Sequence, residues 1–166
     1  MKRREAMALV GFNAWANARV LAKAARLPFK ALKKKAGLSY PSPLETLAHI
    51  LDVQWFWREG AQTGLLPPGK LEADQFTSMA ALRRRWKEED RLFEAFVGGL
   101  TDAQLAGKVT HGFARARPRT RPMADLIQHI VIHGTQPRSE LAVWLTAQKL
   151  SPGGLGYLRY ASKGQQ

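Results

Sequence analysis

Four stretches of helical periodicity, each bounded by glycine, proline or capping signals, constrain this chain more than any other feature. Over about residues 5–27, Met7, Val10, Ala14, Ala18 and Leu21 recur at helical spacing, with Phe12 and Trp15 beside them and Pro28 as the stop. The second stretch has the clearest start. Ser42 reads as an N-cap, Pro43 as the first helical residue, and Glu45 as the reciprocal partner three residues after the cap. Leu44, Leu47, Ile50, Leu51 and Trp55 then supply apolar contact up to Gly60. A third helix is expected after Thr77 or Ser78. Leu82, Trp86, Leu92 or Phe93, and Phe96 lie on one side, and the charged run Arg83 to Asp90 is expected to be a solvated face. A fourth starts near Thr120 to Pro122, meets Gly134 and Pro137, and resumes to Leu150.

The connections are less regular. Residues 29–40 form a basic connector, and 61–76, with Gly64, Pro67, Pro68 and Gly69, read as a loop. Thr101 caps a short turn, and 108–120 alternate in a way that suits a short hairpin or an extended loop. Residues 151–166 read as a tail. Long amphipathic helices with little strand indicate an all-α fold, a four-helix bundle forming a single domain over 1–166 with its core at about 6–150. Two connections are long, so an up-down-up-down arrangement with tight turns does not follow from the sequence.

A chain of 166 residues buries roughly 70% of its unfolded surface and needs no disulfide or metal to fold. It has no cysteine, which excludes thiolate ligands and a cysteine nucleophile. No stretch reaches the length of a membrane span and no secretory signal is evident, so the expectation is a soluble, cytoplasmic protein. The net charge of +13 is concentrated toward the two ends of the sequence. Such a surface favours anionic partners, nucleic acid included, but there is no helix-turn-helix, zinc-finger or RNP-type motif. Non-specific phosphate binding would fall steeply with salt.

The residues that carry chemistry lie in HIVIHGTQPRSE, residues 129–140. His129 and His133 are four apart, hence on one helix face, and a third imidazole from another helix would complete a three-ligand site with an open position. His49 is the obvious donor, and Zn²⁺ or Ni²⁺ suits imidazole nitrogen. Gln136 and Glu140 extend the same seam. Glu140 is a candidate ligand or general base, and Asp52 a second candidate base. The bland alternative is two histidines bonded only to nearby carbonyls or carboxylates. Pro137 removes the helical hydrogen bond to the residue 133 carbonyl and is expected to kink or break the helix.

The blocks FNAWANARVLAKAARLP, HILDVQWFWREG, LTDAQLA and HIVIHGTQPRSE, in this order, resemble the DinB family of DinB/YfiT-like metalloenzymes over about residues 6–160. The resemblance implies a four-helix bundle with long crossover connections, often a homodimer, in a family whose name records DNA-damage-inducible expression and a stress response. It implies a divalent metal held by three histidines, with His49 and His133 at two of the positions. The third is usually a later histidine of an H-G-T-H-H-R block; here Gln136 and Pro137 stand at both later positions. His129 stands at the offset that related thiol-dependent isomerases use. Relatives also imply thiol-dependent transfer or isomerisation, or hydrolysis, of a small-molecule substrate. A low-molecular-weight thiol would be the cofactor, and Arg115, Arg117 and Arg119 are candidates to hold an acidic thiol or substrate. A metal-free, non-catalytic binding protein of the same fold is the alternative.

Overall fold

In the computed structural model, which describes residues 1–162, four long helices carry the chain. Helix α1 spans Arg3–Ala24, α3 Pro43–Thr63, α4 Met79–Gly98 and α6 Met123–Ala147. Short helices α2 (Phe29–Leu32), α5 (Asp102–Ala106) and α7 (Tyr157–Ala161) and a two-stranded antiparallel hairpin, β1 (Lys108–His111) with β2 (Arg119–Pro122), fill the connections. No helix is long and apolar enough among the described residues to cross a membrane.

Caps set the boundaries. The Ser42 hydroxyl accepts from the Glu45 amide, Ser78 from Ala81, and Thr101 from Gln104, whose side chain accepts from the Thr101 amide in return. Helix α3 runs past Gly60, the expected stop, and ends at Gly64 with φ of 75°. Gly60 is instead buried within the helix. A Cβ there would come within 2.7 Å of a Leu66 methyl, so the glycine admits the returning loop rather than ending the helix. The expected break at Pro137 is absent. Helix α6 is continuous from Met123 to Ala147 with Pro137 buried in it. Tertiary packing on both sides outweighs one missing hydrogen bond. The stretch read as a tail carries α7, whose Tyr157 and Tyr160 rings meet Phe12 at 5.4 and 6.0 Å. Its last residues, 163–166, lie outside the described residues.

Helix α3 packs chiefly on α6 and α4, and α1 packs on the same two. The consecutive α3 and α4 are therefore neighbours, whereas α1 and α3 lie across the bundle from one another, as do α4 and α6. Crossing it requires the long connections at 25–42 and 99–122.

Two apolar clusters close the ends. One joins Leu47, Leu51, Leu82, Trp86, Leu141 and Leu145; the other joins Val10, Phe93, Val97, Leu105, Ile127 and Ile130. Between them lies a buried polar layer. Arg58 forms a two-pronged ion pair with Glu89, including Nη2–Oε2 at 2.9 Å. Arg138 donates to Asn13 and Asn17 at 2.6 and 2.7 Å, and Asn13 donates to Gln54, which donates to Asp90 at 2.9 Å. Glu89, expected on a solvated face, is fully buried because its position on α4 turns it toward Arg58 of α3.

Burial pushes the Asp90 carboxyl up to about 6, with Glu89 adding to the shift and the Gln54 bond opposing it. A raised carboxyl pKa in the folded chain means the native state holds a proton that the unfolded chain has released. Stability therefore falls as pH rises from about 4 through about 6. Relative to Asp90→Asn, the wild type is expected to lose about 2–3 kcal/mol between pH 4 and pH 7. Urea unfolding of both proteins at the two pH values measures this, and parallel curves would refute it.

Candidate metal centre

The α3–α6 contact brings His49 and His133 face to face, with their Nε2 atoms 3.4 Å apart. Both rings are half-buried. Burial, then His133 and Lys70, lowers the His49 pKa to about 4; burial, then His129, lowers that of His133. At neutral pH both imidazoles are uncharged, the form that binds a metal. Two imidazole nitrogens at about 2.0–2.1 Å from one tetrahedral ion are about 3.3–3.4 Å apart. The observed separation matches this, and is long for a nitrogen–nitrogen hydrogen bond. His133 Nδ1 is buried without a partner.

The other candidates fall into different surroundings. His129 is exposed, one turn before His133, with ring centroids 5.5 Å apart, and its ring stands edge-on to Trp57 at 5.3 Å. Among the described residues no group of three His, Asp or Glu side chains converges to hold an ion. Gln136, Pro137 and Glu140 line a cavity of about 260 Å³ beside His49 and His133, with Ser39 and Tyr40 opposite. Glu140 accepts from the Ser39 amide at 2.9 Å and its hydroxyl at 2.8 Å, which holds the carboxyl below its usual pKa. Asp52 accepts from the Leu71 amide at 2.7 Å and so anchors the 64–78 loop, outside this cavity. Arg117 and Arg119 line a separate cavity under the hairpin, together with Arg121; Arg115 is not part of its wall.

Two further side chains shape the site. Tyr40 stacks on His49 with ring centroids 4.2 Å apart and fixes the plane of the imidazole. Trp57 touches both His129 and His111, at 5.3 and 5.4 Å. The result is a continuous row of rings along the α3–α6 seam, His111, Trp57, His129, His133, His49 and Tyr40, which takes in every histidine of the chain. The available signal was Trp57 two turns after His49 on the same face. Nothing local marks Tyr40.

The interrupted motif also acquires a reason. A Cβ on Gly134 would lie 3.1 Å from the Arg138 guanidinium and 3.5 Å from the Asn13 carbonyl oxygen. The glycine therefore lets Arg138 fold back over its own helix into the polar layer. It does not end α6.

Comparison with curated proteins finds no match. The family model of the DinB superfamily matches residues 14–138, a segment that starts in α1, contains His49, His129 and His133, and ends at Arg138. With more than half of its length matched and a helical architecture around this site, the chain belongs to the DinB superfamily.

Proposed function

We propose that this chain is a divalent-metal-dependent enzyme acting on a small molecule, with His49 and His133 as the ion's imidazole ligands. The observation that carries this reading is the 3.4 Å Nε2–Nε2 separation between two neutral rings. Tyr40 and the partly buried setting keep His49 in that orientation. A bound Zn²⁺ or Ni²⁺ would supply Lewis acidity and lower the pKa of a coordinated water or low-molecular-weight thiol. His129, one turn away, is the third ligand in this reading and would have to leave Trp57 by a change of rotamer to reach the ion. Glu140, ionised and held by Ser39, is the proton acceptor at the cavity wall, and the Gln136 amide beside it supplies a donor for substrate. Because the side chains leave most of the coordination sphere free, substrate or thiol is expected to bind the ion directly.

A metal-free binding protein is the second reading. It is favoured by Gln136 and Pro137 at the positions where the resemblance places further histidines, and by the absence of a converged third ligand among the described residues. Elemental analysis of protein purified without a histidine tag separates the two. About one Zn or Ni per chain is expected after incubation with the ion, and affinity should drop more than about 100-fold in His49→Ala/His133→Ala. Wild type that takes up no more metal than the double variant would leave the metal-free reading.

A further inference from the structure

Beyond the metal centre, a cavity of about 380 Å³ opens between the C-terminal half of α3 and the β1–β2 hairpin. One wall is aromatic. Phe56 meets Phe113 at 6.1 Å and Trp57 edge-on at 5.4 Å, and Phe113 is 48% exposed. The hairpin is pinned over this wall by the Leu66 amide to Gly112 carbonyl bond at 2.9 Å and the Gly112 amide to Gly64 carbonyl bond at 3.1 Å.

The hairpin presents cations to the same space. Arg119 and Arg121 are two apart on β2 and share a face, and His111 is the strand partner of Arg119. All three line the cavity, with Arg117 at the turn. None of these arginines has a carboxylate partner among the described residues, although like charges on one face of a strand repel. His111 is 2% exposed and neither ring nitrogen has a hydrogen-bond partner. A neutral imidazole keeps one N–H in either tautomer, so a buried donor is left unsatisfied. Burial, then Arg121 and Arg119, lowers its pKa and keeps the ring neutral.

Unpaired guanidiniums and an orphaned imidazole donor both call for an anionic acceptor. The aromatic wall, with ring faces and edges inclined to one another, suits the face and edge of a further ring. We propose that this cavity binds a small aromatic carboxylate, its ring against Phe56, Trp57 and Phe113 and its carboxylate between His111 and the Arg119–Arg121 face. The site does not require an ion at His49 and His133. Trp57 nevertheless places the ligand next to His129, the first ring of the row that leads to that pair.

Calorimetric titration of the full chain with 2-naphthylacetate, before and after removal of metal with a chelator, tests this. The expected dissociation constant is about 0.1–1 mM, the same in both preparations, with 2-naphthylacetamide at least about tenfold weaker and acetate not binding. Arg119→Gln/Arg121→Gln, two exposed positions, should weaken 2-naphthylacetate about tenfold, while Lys33→Gln/Lys34→Gln, which removes equal charge outside the cavity, should change it less than about twofold. Absence of binding, equal affinity for the amide, an equal effect of the lysine pair, or binding that requires the metal would each overturn the proposal. Failure of the metal-centre reading would show separately in the elemental analysis.

Discussion

Replacing Glu89 with alanine is expected to destabilise the chain by about 3–5 kcal/mol, because it strips the counter-charge from a buried cation. Arg58 is 2% exposed and Glu89 fully buried. The guanidinium donates through Nε and Nη2 to the two Glu89 oxygens, while Glu59 and Gln62 reach it only from the rim. Without Glu89 the charge stays between α3 and α4 with only the partly exposed Glu59 as counter-charge, which offsets little of its desolvation. For a chain of this size the melting temperature should fall by about 10 °C. Arg58→Met/Glu89→Leu should recover most of that loss, since two apolar groups of similar volume need no mutual charge. A single variant that melts within about 3 °C of wild type would mean that water or Glu59, 3.0 Å from the guanidinium, compensates the stranded charge far better than its burial implies.

Arg138→Met is the second large effect, expected at about 2–4 kcal/mol. Burial lowers the Arg138 pKa to about 10 while Asp90 opposes the shift, so the group is still a cation at neutral pH. Its Nη1 satisfies the Asn13 and Asn17 oxygens at once, and its Nη2 reaches Thr135 at 3.1 Å. Methionine fills the space and leaves two buried amide oxygens without that donor. Arg138→Lys should restore less than half of the lost stability, because a single ammonium cannot reproduce the planar fork that spans two helices. Chemical denaturation of both variants provides the comparison, and full rescue by lysine would refute the fork argument. Gly134→Ala should act in the same direction, since its Cβ would press on the same guanidinium at 3.1 Å.

These two variants bear on how the candidate site is held. His133 and Arg138 sit five residues apart on α6, and Arg58 and Gln54 follow His49 on α3. The polar layer fixes the rotation of α3 and α6 about their axes, and that rotation sets where the two imidazoles meet. Arg138→Met is therefore also expected to weaken metal binding without touching a ligand.

Helix content, the Ser42 and Thr101 caps, the helix stop before Pro28 and the pairing of His49 with His133 were all legible in the residues. The resemblance of HGTQPR to a metal-binding block pointed to the α6 face on which His133 meets His49. The continuity of α6 was not legible, because the cost of Pro137 is local while the packing that outweighs it comes from α1 and α3. The burial of Glu89 was not legible either: in the linear order it belongs to a run of surface charges, and its partner lies 31 residues away. Tyr40 and the row of rings were likewise hidden, since stacking across elements leaves no periodic trace.

Periodicity, capping and chain breaking act between residues about four positions apart, so the amino-acid order alone determined the existence of the four long helices and most of their starts. Which polar groups enter the interior depends on how each helix is turned toward its neighbours. One residue along a helix rotates a side chain by about 100°, enough to exchange a solvated charge for a buried one. Tertiary structure alone therefore decided that Glu89 and Arg138 are buried. It also decided that His49 meets His133 while His129 turns to Trp57, and that three arginines and a buried histidine enclose one cavity.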